Sequence, residues 1–291
     1  MITVQLMGGL GNQLFQIFAT IAYAFEHGHQ FVFPHSDKLL VGKIRQTYWH
    51  NFLTNLTIFT TKNPVCQFSN DNLKMIPSIK ELGFHYTKIQ QVSANNSFSL
   101  NGYYQSYKYF EAFQDKIYAM ILLTNQQKSV RTKYAKYLDG IPTISMHFRL
   151  GDYKEKQQFH PIMPKEYYQS ALTYILNMKY SLESPVRVLY FCEKEDNGIV
   201  DGVMNYIRTQ FAQYSQLQIV KVEDDMEDWQ QLLLMSCCSN NIIANSSFSW
   251  WGAYFNQSLD KCVCYPHTWF GPAMGAVNLE DLFPPTWQVI I

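Results

Sequence analysis

The sequence predicts an α/β fold built as two domains with a cleft between them, and three observations carry that prediction. A strand, a glycine turn, a helix and a second strand follow one another in the first 34 residues. After Pro142 the alternation of short apolar strands with helical stretches starts again and runs almost to the end. Of the 291 residues, 47% are hydrophobic and only 16% charged, which is the balance of a folded chain with length enough for two domains.

Ile2 to Met7 reads as a strand that runs into Gly8-Gly-Leu-Gly-Asn-Gln. An apolar helix is expected from about Leu14 to Glu26, stopped near Gly28, with Phe31-Val-Phe-Pro as the next strand. This βαβ order predicts a parallel sheet. Residues 36–100 are polar, show no clear period and are not assigned. Order returns at Asn101–Leu123, with an aromatic patch and a helix expected from Phe110. The Lys- and Tyr-rich stretch from Gln126 to Gly140 is read as a helix bridging the domains, which are placed at 1–140 and 141–291. In the second domain strands are expected at 143–149, 186–192, 218–223, 241–244 and 262–265. The helices between and after them are expected at 164–180, 199–213, 227–239 and 248–256.

Composition excludes several classes. With 23 basic and 23 acidic residues the net charge is zero, so no global field draws in nucleic acid or acidic lipid. A partner held in a cleft is the better expectation. The 46 aromatic residues serve either sugar-stacking surfaces or core, and core is the commoner use. Six cysteines form no paired CxxC sets, so neither a disulfide framework nor a zinc site is expected. No stretch reaches the roughly 18 apolar residues of a membrane span, and no signal peptide is read at the start. Asn245-Ser-Ser would be a glycosylation sequon in a secreted protein, but it falls inside the expected active site. A cytoplasmic location is therefore expected.

Three stretches carry chemistry. His147-Phe-Arg-Leu-Gly-Asp-Tyr follows a buried strand and puts Arg149 at its exit. A guanidinium there can grip a diphosphate through two parallel hydrogen bonds, which lysine does not reproduce. The second stretch, Gly8 to Gln13, lies between a strand and a helix start, where free amides and the dipole suit an anionic or hydroxyl-rich ligand. It lacks the GxGxxG spacing of a dinucleotide site and the GK[ST] of a P-loop, and a plain tight turn is the competing reading. The third, Asn245-Ser-Ser-Phe-Ser-Trp-Trp-Gly-Ala, follows the strand at 241–244. Its serines either cap a helix or, with the helix amides, form a metal-free anion pocket opposite Arg149.

With these motifs in place the chain resembles the bacterial-type alpha-1,2-fucosyltransferases of glycosyltransferase family 11. Four blocks carry the resemblance from end to end: GGLGNQLFQ at 8–16, GYYQSYKYF at 102–110, HFRLGDY at 147–153 and IIANSSFSWWGAYF at 242–255. The resemblance implies a GT-B-type fold, two Rossmann-like α/β domains facing across a cleft. It implies GDP-β-L-fucose as donor substrate, a galactose-containing glycan as acceptor, inversion at the anomeric carbon and no metal or other cofactor. The N-terminal domain is then the acceptor side and the C-terminal domain the GDP-fucose side. By position, Arg149 is implied to bind the diphosphate and His147 to contact the nucleotide. Ser246 and Ser247 are implied to donate to the phosphates and Phe248 to shape the pocket, while Gly9, Asn12 and Gln13 face the cleft from the other domain.

One departure from the resembled pattern is Leu150, where many relatives carry a second arginine. A lost phosphate contact would cost roughly 1–3 kcal/mol. Strand alternation sends neighbours to opposite faces, so Leu150 is expected to be buried and away from ligand. For the general base, Asp152 is the first candidate and Glu155 the next, with a turn cap holding Arg149 as the equal alternative for Asp152. The acidic run Glu223-Asp-Asp is read as a solvated loop or a ribose or guanine contact rather than a metal site. The aromatic block at 102–110 either stacks on a sugar or packs a helix start. Competing activities are a protein O-fucosyltransferase and a non-catalytic nucleotide-sugar-binding protein.

Overall fold

Strand β1 (Ile2–Val4) is buried on both faces and leads into helix α1 (Leu10–His27), whose residues Leu10–Tyr23 are nearly all buried. The structure is a computed structural model and describes residues 1–40 and 43–291; Val41 and Gly42, inside the unassigned stretch, lie outside the described residues. The helix begins at Leu10 rather than near Leu14, which places Asn12 and Gln13 within its first turn. The glycines make that early start possible. Gly8 has φ +78°, and a Cβ there would lie 2.5 Å from the Asn12 amide nitrogen. Gly28, at φ +70°, ends the helix as expected, its N–H donating to the Ala24 carbonyl.

Phe31 and Phe33 form only isolated parallel bridges, to Ile2 and Thr60, instead of the expected strand. Pro34 has no N–H with which to extend a ladder. The stretch that showed no period proves to be a string of very short elements. These are β2 (Lys38–Leu39) and β3 (Arg45–Gln46), an antiparallel pair, then a 3-10 helix (Thr54–Phe59), α2 (Asn70–Lys74) and β4 (Ser78–Lys80). Two to six residues are too few to display a repeat of either kind. Ser69 and Asn72 close a reciprocal capping box on α2. Strand β5 (Phe98–Asn101) lies between β1 and β4, and all three run parallel. The helix expected from Phe110 starts at Gln114 (α3, Gln114–Met120), after two 3-10 turns.

Helix α4 (Leu123–Lys133) passes from the first compact unit into the second. The first unit comprises Met1–Gln126 with Val277–Pro284, and the second Gln127–Ala276 with Pro285–Ile291. The parting thus falls before the expected residue 140, and hydrogen bonds explain it. Gln127 donates to Ser236 and to the Phe255 carbonyl, Tyr134 to Gln230, and Lys136 pairs with Glu223. The late segment 277–284 joins the first unit because Asp281 pairs with Lys108 and its carbonyl accepts from Ser106 at 2.7 Å.

The second unit follows the expected alternation closely. Its elements are β6 (Thr143–His147), α5 (Lys165–Lys179), β7 (Val186–Phe191), α6 (Asn197–Gln210), β8 (Leu217–Lys221), α7 (Asp228–Ser236), β9 (Asn240–Ile242), α8 (Ser247–Tyr254), β10 (Val263–Pro266) and β11 (Gln288–Ile290). The sheet order is β11-β10-β9-β6-β7-β8, with every pair parallel. Counted from β6 this is the 3-2-1-4-5-6 order of a Rossmann sheet, and the order reverses between β6 and β9. Both units are α/β with parallel sheets, in keeping with the two-domain class expected. The core beneath β6 and β7 is built from Ile144, Met146, Leu172, Ile175, Val188 and Met204, all fully buried. Among the described residues no helix is long and apolar enough to cross a membrane.

Candidate active site

Ligands of open parallel sheets collect at the carboxyl ends of the strands where the strand order reverses. Here that point is the shared end of β6 and β9. The motif 147–153 leaves β6 there, and the motif 245–248 leaves β9. Helix α5 supports both ends from below: the Tyr168 hydroxyl donates to the His147 carbonyl at 3.2 Å, and Tyr167 donates to the Ile243 carbonyl at 2.5 Å.

Two contacts bind the motifs to each other. The rings of His147 and Phe248 lie with centroids 5.4 Å apart. The Tyr153 hydroxyl donates to the Asn245 carbonyl at 3.2 Å, while its ring carries the Arg149 guanidinium 5.1 Å above it. These contacts set the loop that carries His147, Arg149 and Asp152 beside the segment that carries Ser246, Ser247 and Phe248, all within the second unit. Ser246 takes the N-cap position of α8, its hydroxyl accepting from the Phe248 N–H at 3.3 Å. Ser247 opens the first turn, so hydroxyls and helix amides converge at the positive end of the α8 dipole.

Arg149 lies two residues past the strand and is ion-paired to both Asp152 and Glu193. Burial works against its charge, but Glu193, Tyr153 and Asp152 together outweigh it and hold the guanidinium pKa above its ordinary value. The strand ends at His147 rather than at 149, so alternation does not set the direction of Leu150. Leu150 is nonetheless buried, 4% exposed, as a member of the hydrophobic core around β6 and α5. The expectation of burial holds, for a different reason from the one that produced it.

His147 is 7% exposed, and its Nδ1 is buried with no hydrogen-bond partner among the described residues. Burial first, and the Arg149 charge second, push its pKa from 6.5 down to about 3. The unfolded chain takes up this proton near its ordinary value while the native protein resists it, so the associated stability is complete above that value and is lost as pH falls toward about 3. The stability advantage of wild type over His147→Gln is expected to shrink on acidification below pH 6.5, by at most about 1.4 kcal/mol per pH unit. Urea midpoints measured down to about pH 4.5 check this. A difference that stays constant with pH would show that His147 does not titrate in this way.

Sequence reading missed the turn that grips the arginine loop. Glu193 and Asp196 follow β7, the neighbour of β6. Asp196, fully buried, accepts from the Gly151 N–H at 2.8 Å and from Lys154 at 2.7 Å. Gly151 has φ +40°, and a Cβ on it would lie 2.8 Å from a Glu193 carboxylate oxygen. The signal was the acidic run Glu193-Lys-Glu-Asp directly after an apolar strand, open to the same strand-end rule that singled out Arg149 and Ser246. Asn245, missed as a support, is 2% exposed and donates to the carbonyls of Pro161 and Trp269 at 2.9 and 3.1 Å.

Gly9, Asn12 and Gln13 belong to the first unit. Gly9 is the N-cap of α1 without a side-chain cap. Asn12 Oδ1 accepts from Gln105 Nε2 at 2.9 Å, joining the glycine turn to the aromatic block. Gln13 is 1% exposed and donates to the carbonyls of Gly8 and Gln46 at 3.0 and 2.9 Å, which makes it a strut of the turn. In the aromatic block Tyr104, Tyr107 and Phe110 are buried, so packing accounts for those three rings. In the acidic run Glu223 pairs with Lys136, and Asp224 with Lys221.

Comparison with known proteins adds the family. The profile described as Glycosyl transferase family 11 matches residues 1–290. The O-antigen biosynthesis glycosyltransferase WbnK of Escherichia coli is 27% identical over 187 residues, 62% of this chain and 58% of that relative's length. An alpha-1,2-colitosyltransferase of Escherichia coli is 25% identical over 303 aligned positions, covering 98% of this chain and 97% of the relative. Among solved structures, POFUT1 in complex with GDP superposes with a TM-score of 0.49 at 9% identity, covering 91% of this chain and 97% of that one.

Proposed function

The chain belongs to glycosyl transferase family 11, and from that membership we propose that this glycosyltransferase moves L-fucose from GDP-β-L-fucose to the 2-hydroxyl of a terminal β-galactoside, with inversion. The observation that carries the proposal is the convergence of Arg149 and the α8 N-terminus at the reversal point of a Rossmann sheet. A guanidinium on one side and hydroxyls and helix amides on the other suit a diphosphate leaving group.

In this reading Arg149 holds the diphosphate and offsets the charge that grows as the glycosidic bond breaks. Ser246 and Ser247 donate to phosphate oxygens, Phe248 walls the pocket, and the neutral His147 imidazole offers Nδ1 to the nucleotide end. Asp152 steadies Arg149, and no metal takes part. Gly9 and Asn12 are assigned to binding the sugar acceptor, with Gln13 keeping their turn in shape.

The full-length similarity to an alpha-1,2-colitosyltransferase favours one second reading, in which the linkage is the same and the transferred sugar is colitose. One experiment tests the main reading: GDP release from GDP-β-L-fucose, with and without lactose, in the presence of EDTA. Release stimulated by lactose under chelation is expected. Activity abolished by EDTA and restored by manganese would overturn the metal-free mechanism. Release only with a colitose-bearing donor would select the second reading.

A further inference from the structure

Arg149 meets two carboxylates in this protein, and one of them stands where a ligand anion would have to compete. Its guanidinium is ion-paired to Asp152, three residues on, and to Glu193 at the end of β7. A single positive charge between two negative ones leaves that trio with a net charge of minus one. A diphosphate approaching it meets repulsion unless one carboxylate gives way.

The two carboxylates are not equivalent. Asp152 lies in the short 3-10 turn that follows Arg149 in the same loop, and its side chain is 22% exposed. Glu193 comes from the turn after β7, its side chain is 49% exposed, and it reaches the guanidinium over Gly151. Any side chain at 151 would block that approach, since its Cβ would sit 2.8 Å from the Glu193 carboxylate. The neighbouring Asp196 is committed elsewhere, to the Gly151 N–H and Lys154, so the loop stays clipped to β7 without Glu193. The carboxylate best able to leave Arg149 is therefore Glu193.

We infer that Glu193 is an exchangeable counter-ion of Arg149: it holds the guanidinium aimed into the site, yields it to the donor diphosphate, and reclaims it as GDP departs. This inference rests on the proposed diphosphate role of Arg149. Glu193 is a positioning residue, and its carboxylate sets how tightly the nucleotide is held. An arginine left with Asp152 alone would bind GDP more strongly and release it more slowly.

Calorimetric titration of GDP into wild type, Glu193→Gln, Glu193→Asp and Arg149→Ala tests this. Glu193→Gln keeps the shape and removes the competing charge. It is expected to bind GDP about tenfold more tightly, the equivalent of about 1.4 kcal/mol, with product inhibition by GDP strengthened to match. Glu193→Asp is expected to stay near wild type, and the double variant Arg149→Ala, Glu193→Gln to lose the gain. Glu193→Ala is a second way to remove the charge and is expected to shift affinity in the same direction. A purely structural Glu193 gives the opposite sign: unchanged or weaker GDP binding in Glu193→Gln and Glu193→Ala overturns the inference. If Arg149→Ala binds GDP as wild type does, the diphosphate role itself fails, which separates that failure from the failure of the counter-ion.

Discussion

Arg149→Ala is expected to lower kcat/KM for nucleotide-sugar transfer by at least about a hundredfold, the scale on which a leading electrostatic stabiliser is lost. The side chain sits at the reversal point of the β6–β9 sheet, under an ion-pair grip from Asp152 and Glu193 and over the Tyr153 ring. None of these partners belongs to the hydrophobic core around β6. The thermal midpoint is accordingly expected to stay near that of wild type, so the loss falls on chemistry and not on folding. The alanine also leaves two carboxylates facing each other, which repels the donor and raises KM along with the fall in kcat. Arg149→Lys is expected to recover little, because an ammonium lacks the fork that serves two oxygens at once. Activity within about threefold of wild type would remove Arg149 from the diphosphate.

Asp152→Asn is expected to reduce turnover and GDP affinity together, by about tenfold each, as the loss of a charge-assisted bond that aims the arginine. Asp152 lies three residues after Arg149, in the 3-10 turn that follows it, and is directly ion-paired to it, an arrangement suited to holding rather than to accepting a proton from an acceptor hydroxyl. Kinetics separate the two roles. If Asp152 is the base, kcat falls alone, GDP affinity stays at the wild-type value, and the acid limb of the pH–rate profile disappears. If it positions Arg149, both parameters fall and the acid limb remains. The contrast with Glu193→Gln is internal to the site. Two carboxylates on one guanidinium are expected to shift GDP affinity in opposite directions, because one lies three residues along the arginine's own loop and the other competes with the ligand.

The second unit was legible in the sequence almost element by element. Its strands, from β6 to β10, are short apolar runs between helices long enough to show their period, and the boundaries moved by only a few residues. The first unit was legible at α1 and, four residues late, at α3. Between Phe33 and Asn101 its elements are two to six residues long and are held by side chains such as Asn70, which accepts from the His35 N–H at 3.2 Å and donates to its carbonyl at 2.7 Å. No local pattern encodes such contacts. At the site, Arg149, His147 and Ser246 were visible because a strand end and a helix start announce themselves locally. Glu193 and the supporting role of Asn245 were not, because what matters about them is a partner distant in the chain: Glu193 reaches Arg149 from the turn after the neighbouring strand, and Asn245 ties Pro161 to Trp269. Leu150 shows a prediction can be right through the wrong route, since the core and not strand alternation buries it.

The most direct test of the proposed reaction is the linkage of the product. The purified protein, given GDP-β-L-fucose and a β-galactoside, should yield a trisaccharide from lactose that two-dimensional NMR can define. An α-configured fucose whose anomeric proton correlates with galactose C2 is the expected spectrum. A β-anomer, or a correlation to any other galactose carbon, would contradict an inverting transfer to the 2-hydroxyl.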